Sequence, residues 1–384
     1  MPELLDLAAR IFVFAVGAYI IGAVVIAAIR TFVLPRSAFV PLTGMVFRVI
    51  FWLFRRRAQS KESYEQRDEV MAMFAPVALL AQPIVWLALL TVGYTLIFWS
   101  LGVNGLYESF SLAGSSLFTL GFTKSDLFVN MIFEFTASAL GLIMVALLIA
   151  YLPTMYSAFS KRETLVTLLE TRAGSPPSSA DFITLAQSID DLELVNEIWR
   201  EWATWFAEID ETHTSLVALV FFRSPRSERS WVTAAGVMLD SAAIMLSSVA
   251  VPVSPNARLM IRTGYIALRH VADYFDVAFD PEPKPTDPIS ISRFEFDEML
   301  KQLEDAGVPL RSDRDQAWLD YAGWRVNYDR PLLALASLTM APYAAWVSDR
   351  SLPGMYRVVS KRKGVGAMIA ARATRWRVAR SRPV

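Results

Sequence analysis

The sequence predicts an α-helical membrane protein with three spanning helices, a re-entrant helix and loop between the second and third spans, and an all-α domain after the third. Hydrophobic residues make up 54% of the 384 residues, and the mean hydropathy is +0.38, which is high for a soluble domain. Three apolar runs reach the length of about 20 residues that crosses a bilayer. The second half has helical periodicity and no run of alternating strands.

The three predicted spans cover about residues 9–34, 72–101 and 129–157. At the centre of the first, residues 11–29 carry no charge. Glu3 and Asp6 make its leading end acidic, and no small-residue cleavage site follows. We therefore expect this run to be a retained span and not a cleaved signal peptide.

Basic residues predict the orientation of the spans, since loops rich in lysine and arginine stay in the cytoplasm. The loop after the first span contains Arg30, Arg36, Arg48, Arg55, Arg56, Arg57 and Lys61. We therefore expect the N-terminus outside, and this basic loop and everything after Lys161 in the cytoplasm.

The segment 106–124 lies between the second and third spans. Its first part, Leu106–Leu120, consists mostly of aliphatic, aromatic and small hydroxyl residues, which is typical of a helix buried in protein. Gly121 then lets the backbone turn a carbonyl toward an axis, and closely spaced carbonyls can replace the water around a cation. An ordinary extracytoplasmic hairpin is the alternative interpretation.

The residues Thr119, Leu120, Gly121 and Phe122 resemble the first four positions of the potassium-channel filter, Thr-Val-Gly-Tyr-Gly-Asp. Thr123 stands at the second glycine and Lys124 at the acid. The resemblance covers about residues 77–160. The pattern Thr-x-Gly-Phe-Thr is also similar to the filter loops of Trk-type potassium transporters, which carry four loops in one chain. One loop per chain implies that four chains assemble.

What the resemblance implies is a homotetrameric cation channel of the bacterial inner membrane, in which Thr119–Thr123 form the ion filter and potassium is the conducted ion. The departure at Thr123 predicts weakened selectivity, because threonine resists left-handed geometry. Lys124 predicts a lower conductance, because a positive mouth lowers the local cation concentration. The alternative is a membrane-anchored sensor or scaffold whose degenerate pore does not conduct.

Three further residues in the third span have expected roles in the filter or in gating. Glu134, near the outer start of the third span, either braces the filter or is a carboxylate at headgroup level. Gly141, twenty residues after Gly121, is expected to be a gating hinge, a close-packing position, or both. Pro153 removes a helix hydrogen bond and is expected to kink the cytoplasmic end of the span.

Two basic segments are candidates for anionic membrane lipid. Residues 40–57 predict a basic amphipathic helix that ends at Arg55, Arg56 and Arg57, with a short buried helix as the alternative. The tail 351–384 contains no acid and includes Arg375 and Arg377. Nucleic acid and a solubilising tail are the rival interpretations there, but no nucleic acid is expected, since the formal net charge is zero.

The predicted cytoplasmic domain covers 161–350, with breaks at Gly174–Ser179 and Asp280–Ser290. One face of a helix is marked by Leu192, Val195, Ile198, Trp199, Trp202 and Trp205. Residues 231–251 and 255–275 predict two more helices. The first of these resembles a fourth span, but Asp240 at its centre would cost ~2.5–3.5 kcal/mol in a membrane. A buried helix of the domain is therefore expected.

Catalytic signals are scarce, and an enzyme is therefore not expected. The sequence has no cysteine, two histidines, no phosphate-binding loop and no glycine motif placed after a strand. The cluster Glu208, Asp210, Glu211 and His213 contains ligands for a hard cation, but it lacks the acid spacing and glycine of a calcium loop. We interpret it as a solvated helix end, and expect no metal, cofactor or catalytic residue.

Overall fold

The computed structural model describes residues 2–32, 41–188 and 192–349. Helices α1 to α6 are Pro2–Phe32, Pro41–Gln59, Tyr64–Ala72, Phe74–Ser100, Gly105–Leu117 and Phe128–Ala173. Helices α7 to α10 are Ser179–Ser188, Leu192–Ser215, Trp231–Ser247 and Pro255–Tyr274, and α11 to α13 are Arg293–Asp305, Arg314–Arg325 and Asp329–Thr339. A 3₁₀ helix covers Val217–Phe221. These described residues contain no strand, which confirms the all-α prediction.

Three helical stretches are long and apolar enough to cross a membrane, as predicted: Glu3–Phe32, Tyr64–Ser100 and Phe128–Ala173. The third of these stretches, α6, continues without interruption through Pro153 and past residue 157, the predicted end of the span. It ends at the predicted break, where Gly174 has a φ of +77°.

The chain divides into two compact units. Among the described residues, the first unit comprises 2–32, 41–52 and 76–156, and the second comprises 53–75, 157–188 and 192–349. The second unit therefore includes α3, a helix that the sequence analysis did not predict and whose residues it placed with the membrane domain. Its N-cap is Ser63, whose side chain accepts from the Gln66 amide.

In the first unit, α1 packs against α4 where two glycines face each other. A Cβ on Gly17 would lie 2.7 Å from the Gly93 carbonyl oxygen, so the two backbones approach closely only because both side chains are absent. At the other end of α1, Phe32 contacts Trp86 of α4 and Tyr151 of α6, with ring centroids 5.3 and 4.6 Å away. Phe14, earlier on α1, contacts Phe133 of α6 with ring centroids 5.8 Å apart, so α1 is antiparallel to α4 and parallel to α6.

In the second unit, α9 is buried, as expected, and its 17 residues make it shorter than the three candidate spans. Asp240 is 1% exposed and forms an ion pair with Arg325, which is fully buried. The Asp240 carboxylate also accepts a hydrogen bond of 2.8 Å from the Tyr328 hydroxyl, and Arg325 pairs with Asp329 at 2.7 Å. The charge of Asp240 is tolerated because it is paired and hydrogen-bonded.

A second buried cation, Arg162, fastens the far part of α6 to the 3₁₀ helix. Arg162 is 2% exposed and donates to the carbonyl oxygens of Leu219 and Phe222 at 2.8 and 2.7 Å. It also pairs with Glu163 at 2.8 Å. His213 also lies beside the guanidinium, with its Nε2 3.3 Å from the Arg162 nitrogen that donates to Leu219. The irregular chain after α8 is thereby held by a charged donor.

The next residue along that chain, Arg223, binds α3. Its guanidinium pairs with Asp68 and donates to the Thr339 carbonyl oxygen at 2.6 Å. One short segment, Val217–Arg223, therefore contacts both α3 and the part of α6 that belongs to the second unit.

We predict that His213 makes the second unit sensitive to acid. Burial, and secondly the nearby Arg162, hold the His213 pKa well below its usual 6.5. The stability that neutral His213 contributes is present above the unfolded pKa and is lost as the pH falls below it, at a slope of ~1.4 kcal/mol per pH unit for one proton. Thermal midpoints measured between pH 7.5 and 5.5 should show this loss, and His213→Gln should reduce it.

The matched control is His270→Gln, because His270 is the other histidine, lies at the surface beside Asp210, and leaves His213 in place. This variant should retain the loss of stability. An unchanged pH dependence in His213→Gln would contradict the assignment.

Candidate functional site

Helix α5 lies against α4 and α6, with the predicted filter residues directly after it. Leu112 and Ala113 of α5 are buried in one cluster with Tyr94 and Phe98 of α4 and Ala137 of α6. The sequence analysis predicted a protein-buried helix in this place. Because α5 has only 13 residues, it is too short to cross a membrane alone. Its apolar face is instead covered by α4 and α6.

The C-terminal end of α5 rests on Gly141 of α6. A Cβ on Gly141 would overlap the Leu117 carbonyl oxygen. Three residues earlier on α6, the Ser138 hydroxyl donates to the Ser116 carbonyl oxygen at 2.8 Å. Gly141 is therefore a close-packing position, one of the two roles that its sequence position predicts. Its role as a gating hinge stays a prediction, and so does that of Pro153.

The chain leaves α5 through a left-handed residue. The amides of Thr119 and Leu120 donate to the carbonyl oxygens of Ser116 and Ser115 at 3.0 and 2.8 Å, the bond pattern of a Schellman end. Thr119 has a φ of 56°, in the region that usually favours glycine. The φ of Gly121 is 71°. The special conformation at Gly121 was anticipated, whereas nothing in the sequence marks Thr119.

Ser115 holds the far end of the loop as well. Its hydroxyl accepts from the Thr123 amide and donates to the Thr123 carbonyl oxygen, both at 3.0 Å. The Ser115 carbonyl oxygen also accepts from the Gly121 amide at 3.3 Å. Sequence reasoning missed Ser115, although hydroxyl residues repeated along an apolar helix are a usable signal.

Donors and acceptors of the loop are used unequally. The amides of Thr119, Leu120, Gly121 and Thr123 all donate to α5. No donor among the described residues bonds to the carbonyl oxygens of Thr119, Leu120, Gly121 and Phe122. The loop therefore presents consecutive free acceptors, which suits a desolvated cation.

Two charged residues flank the loop. Lys124 is exposed. Glu134 accepts a hydrogen bond from the Ser125 amide at 2.9 Å, and Asn130 donates to the Ser125 hydroxyl at 2.9 Å. Glu134 thus contacts the chain immediately beyond Lys124, and both of its expected roles, a brace of the filter or a carboxylate at headgroup level, stay predictions.

The candidate acidic cluster of α8 belongs to the second unit. Asp210 pairs with His270 at 2.8 Å, while His213 is buried beside Arg162, so the acidic cluster on α8 does not converge on one point. Within the described ranges, no group of three or more histidine, cysteine or acidic residues is placed to hold a metal.

The structure places Thr119–Thr123 at the C-terminal end of α5, and Glu134 contacts Ser125 just beyond them. The basic residues Arg55, Arg56 and Arg57 are exposed on α2, and Arg375 and Arg377 lie outside the described residues. No protein-family model, curated protein or solved structure matches this chain.

We predict that Gly141→Ala destabilises the first unit. The added Cβ must push Leu117 and the end of α5 away from α6, and overpacking of this kind costs about 1–3 kcal/mol. The thermal midpoint in detergent, followed by tryptophan fluorescence, should fall. Gly22→Ala is the control, because a Cβ there has no neighbour within 4 Å and alanine favours a helix over glycine. Equal midpoints in the two variants would contradict the packing role.

Proposed function

We propose that this protein is a cation channel in which four copies place their loops, Thr119–Phe122, around one axis. The observation that supports this is the unequal use of the loop's polar groups. The amides of Thr119, Leu120 and Gly121 donate to α5, and the four successive carbonyl oxygens of 119–122 have no donor among the described residues. A buried loop would leave such oxygens unsatisfied at a cost, whereas a dehydrated cation uses them as ligands.

A single loop cannot surround an ion, so the site requires several copies. The side chains beside the free carbonyls support this requirement. Leu120 and Phe122 are 64% and 67% exposed in the single chain. Neighbouring copies would cover these apolar groups and bring the carbonyls of separate chains together. Four copies follow from the resemblance of Thr119–Phe122 to the potassium-channel filter.

Potassium is the proposed ion, with weak discrimination against sodium. Position 123 is a threonine, and Thr123 does not have a positive φ. The exposed Lys124 adds a positive charge next to the loop, which lowers the local cation concentration. The threonine favours weak discrimination between potassium and sodium, and the lysine lowers the expected conductance.

We further propose that the protein lies in the bacterial inner membrane, with the N-terminus and the α5 loop outside. Within the first unit, a Cβ on Gly102, just before α5, would lie 3.9 Å from the Arg10 guanidinium. The start of α1 is thus at the same end as the loop, and the basic α2 follows the opposite end of α1.

The topology predicts opposite labelling of two single cysteines in intact cells. A cysteine at Lys124 should react with a membrane-impermeant maleimide, and a cysteine at Ser60 should react only after permeabilisation. The native chain has no cysteine, so it gives no background. The reverse pattern would place the loop in the cytoplasm.

Anionic lipid is the proposed partner of α2. Met45, Val49 and Leu53, spaced by four and therefore on one side of the helix, are 52%, 54% and 52% exposed. The three exposed arginines 55–57 follow at the same helix end. An apolar stripe next to a cationic end fits the interface of an anionic bilayer.

Phosphatidylglycerol should therefore stabilise the protein. Its addition to phosphatidylcholine bilayers should raise the thermal midpoint, and a triple arginine-to-glutamine variant at positions 55–57 should lose most of the increase, since each basic residue contributes ~1 kcal/mol near the surface. Arg200→Gln, at an exposed site on α8, is the control. A full increase in the triple variant would exclude this role.

The decisive variant for the channel is Gly121→Val. Its branched side chain opposes the φ of 71° and crowds the carbonyls, so potassium current in planar bilayers should disappear. Native mass spectrometry should still show tetramers, because the substitution leaves Leu120 and Phe122 for neighbouring copies to cover. Gly22→Val, in open space on α1, should conduct normally.

Two outcomes would overturn the proposal. Unchanged potassium flux in assembled Gly121→Val would show that this loop is not the filter. Native protein found only as monomers or dimers, or tetramers without current, would favour the non-conducting sensor or scaffold.

A further inference from the structure

We infer that Ser115 is the positioning residue that sets ion discrimination, by fastening both ends of the carbonyl loop to α5 and turning the Thr123 carbonyl away from the ion path. The inference rests on the proposed channel function. It adds that the row of ion ligands ends at Phe122.

Four hydrogen bonds converge on Ser115. Its carbonyl oxygen accepts from the amides of Leu120 and Gly121 at 2.8 and 3.3 Å. Its hydroxyl accepts from the Thr123 amide and donates to the Thr123 carbonyl oxygen, both at 3.0 Å. Ser115 is 1% exposed, so water does not compete for these bonds.

The bond to the Thr123 carbonyl has a direct consequence for the filter. An oxygen that accepts from a buried hydroxyl on α5 is directed at α5, and it is not available to an ion on the opposite side of the loop. The Thr123 hydroxyl is also engaged, at 3.2 Å from the Ser111 hydroxyl. Position 123 is therefore an anchor, and the four carbonyls of 119–122 are the ligands.

Anchoring both ends limits how far the four carbonyls can move inward. Discrimination among alkali cations depends on the number of carbonyl ligands and on how closely they follow an ion of given size. Lithium, the smallest alkali cation, requires the largest inward movement. A loop whose Thr123 end is released from the Ser115 hydroxyl should follow lithium more easily, so the permeability of potassium relative to lithium should fall.

The test compares three variants by reversal potential in planar bilayers with potassium on one side and lithium on the other. Ser115→Ala should lower the potassium-to-lithium permeability ratio at least twofold. Ser115→Thr, which keeps the hydroxyl, should restore most of it. Ser116→Ala is the matched control. The carbonyl oxygen of this neighbouring serine accepts from Thr119 and Ser138, but its hydroxyl makes no hydrogen bond to the described loop. This variant should keep the native ratio.

A permeability ratio separates positioning from mere stability, since loss of folded channels lowers the current but not the ratio of those that remain. A native ratio in Ser115→Ala, or an equal fall in Ser116→Ala, would overturn the inference and leave the channel proposal intact. Native protein without current would instead refute the proposed function. If Ser115→Ala does not assemble, Ser115→Cys, which keeps a similar volume with weaker hydrogen bonds, decides by the same twofold criterion.

Discussion

The contact between the Leu117 carbonyl and Gly141 is the constraint on which the first unit depends. Because Gly141 has no side chain, the last turn of α5 approaches the backbone of α6, and Ser138 can donate to Ser116 beside it. This approach fixes where α5 ends, and therefore where the loop 119–123 begins. A bulkier residue at 141 would displace the loop without touching any of its residues.

The loop itself is organised by the satisfaction of polar groups. Backbone amides need acceptors, and α5 supplies them for Thr119, Leu120, Gly121 and Thr123 through the carbonyls of Ser115 and Ser116 and the hydroxyl of Ser115. The carbonyls of Thr119 to Phe122 receive no compensating donor within the described chain. This asymmetry, and not the glycine alone, gives the loop its affinity for positive charge in the proposed function.

In the second unit, guanidinium groups supply donors to backbone carbonyl oxygens. Arg162 and Arg223 each donate to backbone carbonyls of irregular segments, and each pairs with a carboxylate, Glu163 or Asp68. Such charge-assisted bonds are stronger than neutral ones, and removal of one partner would leave a buried charge. The segment Val217–Arg223 is thereby joined to α3 and to the far part of α6.

The sequence by itself determined the three apolar helices, the short helix α5, the left-handed glycine at 121 and the burial of α9, because hydrophobic periodicity and charge spacing are local properties. Only the tertiary structure decided that α3 joins the second unit, that Thr119 adopts a left-handed conformation, and that Ser115 anchors Thr123. Arg162 likewise finds its acceptors 57 and 60 residues away. Such pairings depend on which distant groups packing brings together, and the local pattern of side chains does not record them.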